Sequence, residues 1–490
     1  MRSVVHGRAA IAALAFLFAS LLPVWASPWA EAGDGQLRAD LELLQAAGVV
    51  HDLTVQWPLP WQSLIAQLDR ADLAAKPAYV RAAAHRLLAK AQTNSAPGNA
   101  AGAYLDFTNR PGVVYGFDGM GRGDGQAQLS FEHNGDVFSG RVSLGAITNN
   151  FGSKPNKIMP DGTYLSLHLW DVRLYAGYLD HWWGPGEITA LQLSNNARPM
   201  PQIGFARADT APSSWPVLNL LGPWQFEFFL GRLDGPQIQS NVDYSAARLT
   251  ISPFDGLEIG VAKTEEFCGQ HHPCAPLRDY FLNLDFSNHA DNVNGEGAID
   301  IKYSRKLWGV PVQAYVQMMN EDYSWVSSSG SSYLAGASIF VPMADNPLKL
   351  TLEYTDTVAT KTPFSFNNNI YGFTYTNGQY VDGMRYRGRT LGFSLDTDST
   401  LMSLQGSWSD ADGRFYELSL HHATIANSHT PPGYFNIVTA APVLLNMAEA
   451  RVSLPWRSLR LDLAGRIQDD QPRPNRGTAA AVEVALRAPL

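Results

Sequence analysis

The feature that most constrains this chain is a two-residue rhythm that begins at Tyr104 and continues to the C-terminus. Phe226, Phe228 and Leu230 alternate with Gln225, Glu227 and Phe229, and Ile299, Ile301 and Tyr303 alternate with Asp300, Lys302 and Ser304. The same beat sets Leu350, Leu352 and Tyr354 against Lys349, Thr351 and Glu353, and Leu461 and Leu463 against Arg460, Asp462 and Ala464. Neighbouring side chains of a strand point to opposite faces, so each segment is a strand with one apolar and one polar side. A soluble β-sandwich and a membrane barrel both produce such alternation. Charges of both signs at strand centres, opposite a face rich in Leu, Phe and Tyr, favour a barrel with a polar lumen and a lipid-facing exterior. Aromatic residues near strand ends, among them Tyr104, Phe107, Trp224, Trp308, Tyr315, Trp408 and Trp456, suit interfacial girdles. The expected fold is an all-β transmembrane barrel of about 18 antiparallel strands over residues 104–490, with a soluble β architecture as the alternative.

The residues before Tyr104 follow other rules. Arg2 and Arg8 precede the apolar run Ala9–Leu22, and Val24-Trp25-Ala26 puts small residues where a secretory signal is cut, so residues 1–26 are expected to be a signal peptide. Loss of two arginines with no acid takes the formal net charge from -9 to -11. An acidic mature protein is a poor partner for nucleic acid, and an anionic ligand needs local Arg or Lys clusters. In residues 27–93 the period is helical. Asp34 caps a helix carrying Leu37, Leu41 and Leu44 that ends near Gly48; Pro60 opens a second with Trp61, Leu64, Ile65 and Leu68; Pro77 opens a third with Val80, Ala84, Leu87 and Leu88. A small three-helix bundle is expected, then a plain linker over residues 94–103.

Cys268 and Cys274 lie close together in FCGQHHPCAP. In an exported chain a disulfide closing a short loop is the default reading, and a zinc site that adds His271 and His272 is the alternative.

One stretch is denser in motif than any other. Trp182 and Trp183 run into Gly184-Pro185-Gly186, and Ser194, the pair Asn195 and Asn196, and Arg198-Pro199-Met200-Pro201 follow. This segment resembles the capsule assembly Wzi family, whose hallmark is a WWGPG turn followed by a serine, paired asparagines and an Arg-Pro-Met-Pro run. Further matches are WPLPWQSL at 57–64, VQMMNED at 316–322, LEYTDT at 352–357 and NGQYVDGMRYRGRTLGFSLDTDS at 377–399. The resemblance implies an eighteen-stranded outer-membrane barrel with a small periplasmic helical bundle, a lectin that holds capsular polysaccharide at the surface of a Gram-negative cell.

A lectin needs flat aromatic platforms for sugar C–H faces, and amides, carboxylates and guanidinium groups for hydroxyls and acidic substituents. Trp182, Trp183, Glu187, Asn195, Asn196 and Arg198 supply these types, although packing and lumen ion pairs are their ordinary uses. Arg385, Arg387 and Arg389 alternate in MRYRGRT, which expects three guanidinium groups on one strand face, as a lumen network or a polyanion site. The motifs of hydrolases, zinc proteases and nucleotide enzymes are missing, and Asp180 with Glu187 is the one pair to propose for glycoside hydrolysis. The reading is a monomeric, non-enzymatic polysaccharide-binding barrel needing no cofactor and no metal, with outer-membrane lipid as its other partner; a porin-type channel for a polar or anionic solute is the alternative.

Overall fold

The computed structural model describes residues 27–148, 158–235, 237–270, 272, 274, 293–321, 330–343, 346–365, 367–410, 412–427, 429, 435–469 and 477–490. The expected signal peptide lies outside them. Three helices come first: α1 (Gly35–Ala46), α2 (Trp61–Arg70) and α3 (Ala78–Ser95). Asp34 caps α1 by accepting from the Leu37 N–H at 2.9 Å, and Gly48, at φ +62°, ends it in the left-handed conformation that glycine adopts without strain. Leu37, Leu41, Leu44, Trp61, Leu64 and Leu87 meet in one apolar core.

The barrel follows. Its first six strands are β1 (Gly98–Thr108), β2 (Gly125–Asn134), β3 (Phe138–Thr148), β4 (Tyr164–Leu169), β5 (Val172–Gly177) and β6 (Gln202–Arg207). The next six are β7 (Trp224–Leu233), β8 (Val242–Phe254), β9 (Leu257–Phe267), β10 (Val293–Leu307), β11 (Val310–Asn320) and β12 (Ser331–Met343). The last are β13 (Asn346–Thr360), β14 (Thr400–Ser409), β15 (Phe415–Ile425), β16 (Val443–Trp456), β17 (Leu459–Gln468) and β18 (Ala479–Pro489). Each pairs antiparallel with its neighbour, and β18 closes on β1 through Ala485↔Asp106 and Arg487↔Tyr104.

The linker expected over residues 94–103 is not a linker. Helix α3 runs to Ser95 and β1 starts at Gly98, with Gly98↔Asn134 and Ala103↔Leu129 in register. Glycine and alanine carry no alternation signal, so pairing with β2 makes this strand while its side chains announce nothing.

Side chains obey the rhythm. Val142, Ile203, Ile299, Leu352, Leu418 and Val482 are exposed on the outer wall, whereas Asp300, Lys302, Glu353 and Ser419 are buried inside. An apolar exterior on a closed barrel is the surface that a bilayer demands, and no helix among the described residues is long and apolar enough to cross one. Two of the expected girdle residues point inward instead. Tyr315 shares the parity of Gln313 and Gln317 and donates to Glu353 at 2.8 Å, and Tyr104 lies inside beneath Arg487.

The two ends of the barrel differ. Tight turns join β4 to β5 and β10 to β11, with the exposed indoles of Trp170 and Trp308 at their tips. The bundle sits at this end, with His51 against Asp255 and Gln45 donating to Glu258 beside the β8–β9 turn. At the other end, residues 178–201 and 361–399 join strands that are direct neighbours, β5 with β6 and β13 with β14.

Candidate functional site

The tryptophan turn is interior packing at a seam. Trp182 and Trp183 form a short antiparallel ladder with Gln56–Trp57 from the connection between α1 and α2, and the Gly184 N–H donates to Val55 O at 2.9 Å. A side chain at Gly184, whose φ is +148°, would strike the Gln317 amide, so the turn depends on glycine. Trp182 is fully buried; its Nε1–H donates to Gly186 O at 3.0 Å and its ring meets Phe117 edge-on at 5.5 Å. Trp183 is also fully buried, against Phe229 and His181.

Glu187 belongs to a closed ion cluster. It faces Arg38 at 3.6 Å and pairs with Lys349, which also reaches Glu42, and Lys302 donates to Glu42 at 2.7 Å. Burial opposes charge on Glu42, yet Lys302, Lys349 and Arg38 together hold its carboxyl well below the usual range. The polar side of α1 is thus what seats the bundle in the lumen.

The remaining candidates bind other parts of the protein. Asn195 donates to Phe117 O at 2.7 Å, and Asn196 donates to Thr390 O at 2.9 Å. Arg198 forks onto Asp161 at 2.7 and 2.9 Å. The three arginines of MRYRGRT do not share a strand face. Arg385–Tyr386 pairs with Arg389–Thr390 across a hairpin turn in which Arg387 and Gly388 both have positive φ, +49° and +81°. The turn sends the side chains apart: Arg385 to Asp396 at 2.8 Å, Arg387 to Asp234 at 2.9 Å, and Arg389 to Asn196 at 3.0 Å. Eight of the nine residues are at most 8% exposed, and the ninth, Glu187, has a side chain 9% exposed.

Cys268 and Cys274 form a disulfide, so the zinc alternative has no thiolate to use. His272 stacks on Tyr380 at 4.7 Å, and His271 lies outside the described residues.

A cleft that sequence reasoning did not single out runs between the bundle and the inner wall of β1, β2, β3 and β18, with a volume of about 530 Å3. Trp29, Trp61, Tyr104 and Tyr115 contribute aromatic surface, and Gln128 and Ser130 contribute hydrogen-bonding groups. At its mouth Lys90 pairs with Asp34, while Arg460 and Arg487 share Asp462, each at 3.4 Å. Its inner end is lined by Arg122, Asp180 and Asn195; Arg122 contacts Asp180 at 2.8 Å and Asn195 O at 2.7 Å. These residues come from distant parts of the chain and form no local motif, and Tyr104 was expected in the interfacial girdle, so no sequence signal pointed to the cleft.

The family model described as capsule assembly protein Wzi matches residues 99–468. The chain belongs to this family. A curated relative, an uncharacterized 55.8 kDa protein in the cps region of Klebsiella pneumoniae, is 29% identical over 315 residues, which is 62% of this chain. The chain spans 60% of the length of that relative. Among solved structures, Wzi from Escherichia coli, described as an outer membrane protein involved in group 1 capsule assembly and a carbohydrate-binding β-barrel, superimposes with a TM-score of 0.81 at 22% identity. That alignment covers 94% of this chain and 99% of the other. OprD from Pseudomonas aeruginosa aligns at a TM-score of 0.44 and 10% identity, over 80% of this chain and 95% of that one, too loosely to inform function. The tryptophan turn and the arginine hairpin fall within the matched Wzi region; Trp29, Lys90 and Arg487 of the cleft fall outside it.

Proposed function

We propose that this chain is an outer-membrane lectin that holds capsular or a related surface polysaccharide at the cell surface, and that it has no enzymatic role. The observation that carries this reading is membership of the Wzi capsule assembly family on a closed barrel with an aliphatic exterior. The filled lumen supports retention over passage. The insertions 178–201 and 371–399 pack against each other, with Ser194 donating to Gly392 O at 2.7 Å, and the bundle occupies the end near the turns, where His51 meets Asp255 at 3.0 Å. Asp180 and Glu187, the carboxylates a glycosidase would have to use together, are engaged separately, Asp180 with Arg122 and Glu187 with Arg38 and Lys349. That division favours binding over hydrolysis.

The test is retention of the purified protein on immobilised surface polysaccharide from its own host, beside single-channel recording in a planar bilayer. Retention with a silent bilayer is expected. Large steady currents without retention would sink the reading in favour of a channel.

A further inference from the structure

We propose that the cleft between the helical bundle and the barrel wall is a subsite for an acidic saccharide, entered from the bundle end, where Arg460 and Arg487 receive a sugar carboxylate. This rests on the polysaccharide-binding reading and adds to it a second contact, reached from the bundle side, which the short turns mark as periplasmic rather than cell-surface, and the charge of the sugar it takes.

Size comes first. About 530 Å3 lies within the range of roughly 300–1,000 Å3 typical of small-molecule sites.

Charge comes second. The mouth gathers three cations, Lys90, Arg460 and Arg487, about two carboxylates, Asp34 and Asp462. One positive charge is left over in an acidic protein. The two guanidinium groups divide a single carboxylate, each at 3.4 Å, with Arg460 also donating to Ser453 Oγ at 2.6 Å, and their side chains remain 29% and 31% exposed. Arginine presents a planar fork that matches a carboxylate with two parallel hydrogen bonds. An incoming carboxylate completes the pairing that Asp462 supplies only in part.

The third element is the platform. Arg487 lies over one face of the Tyr104 ring at 5.6 Å, and Trp29, Trp61 and Tyr115 add aromatic surface around this cation. A pyranose bearing a carboxyl group presents both complements at once, an apolar C–H face for the ring and an anion for the fork. Gln128, the register partner of Tyr104, and Ser130, two residues nearer the bundle end on β2, line the cleft as hydroxyl partners.

The experiment uses full-length protein in detergent and two probes of equal length, a glucuronic-acid-containing tetrasaccharide and neutral cellotetraose, with titration calorimetry as the readout. The acidic probe is expected to bind at least about tenfold more tightly, and Arg487→Gln and Arg460→Gln each to remove about tenfold of that affinity. Ser130→Trp, which fills the cleft without touching its charges, is expected to abolish binding; heat-modifiable migration on gels verifies that each variant is folded. Equal binding by the wild type, Arg487→Gln and Ser130→Trp would overturn the cleft, as would equal affinity for the two probes. If the host polysaccharide binds the wild type and the folded variants alike, the cleft falls and the lectin stands; if it binds none of them, both fall.

Discussion

Two regions of this lumen make opposite use of the same residue types. The tryptophan turn holds indoles, amides, a carboxylate and an arginine, and every one is turned into the protein: Trp182 toward Phe117, Asn195 to Phe117 O, Glu187 into the Arg38 cluster and Arg198 onto Asp161. The cleft beside it holds tryptophans, tyrosines, amides and arginines with space left between them. A list of sugar-binding residue types therefore does not locate a sugar site. What distinguishes the two regions is whether space is left between the side chains.

The sharpest way to break this contrast is Trp183→Ala. Removing a fully buried indole should cost about 3–5 kcal/mol, read as a lower urea midpoint for unfolding, with the saccharide affinity of the folded fraction unchanged. Loss of affinity at unchanged stability would return the turn to the role of binding site. Glu42→Gln should cost about 3 kcal/mol, because Lys302 and Lys349 lose their shared buried partner, and protease release of residues 27–95 should report it.

Acid offers a gentler probe of the same joint. The folded-state pKa of Glu42 lies below its ordinary value of 4.5, so its contribution to stability is fully present above that value and is lost as the pH falls toward the folded pKa. Asp34 is depressed in the same sense: burial opposes its charge, but Lys90 and Arg460 outweigh it. Asp52 runs the other way. Burial pushes it up to about 6, so it favours folding while protonated and loses that contribution as the pH rises from its ordinary 3.8 through about 6. Protease protection of the bundle is expected to hold near neutrality and fail below the carboxylate range, and Asp52→Asn should raise it slightly at pH 7.

The smallest effect on stability belongs to the cleft. Tyr104→Ala should lower the unfolding free energy by no more than about 1 kcal/mol while weakening the acidic saccharide probe, the reverse of the Trp183 result.

The barrel was legible in the sequence because alternation is a local signal: Asp300 and Ile301 declare their faces without reference to any other strand. The helices were legible for the same reason, through Asp34 and the leucine stripe behind it. The site was not. The sequence showed that the WWGPG turn is unusual, but whether an indole is a platform or a wedge depends on Phe117 and Phe229, far away in the chain. The arginines of MRYRGRT kept the alternating pattern of a strand while Arg387 and Gly388 were forming a turn, which inverts what that pattern means. A polar helix face normally implies water; on α1 it implied Lys302, Lys349 and Glu258 across a lumen.

Tyr104 and Arg487 stand opposite each other where the first strand meets the last. A barrel halted before its ends join has neither neighbour in place, so the proposed receptor for sugar comes into being only with the final step of assembly. Competence to hold a ligand would then certify that the cylinder is complete, and half-built copies would pass through the envelope without competing for it.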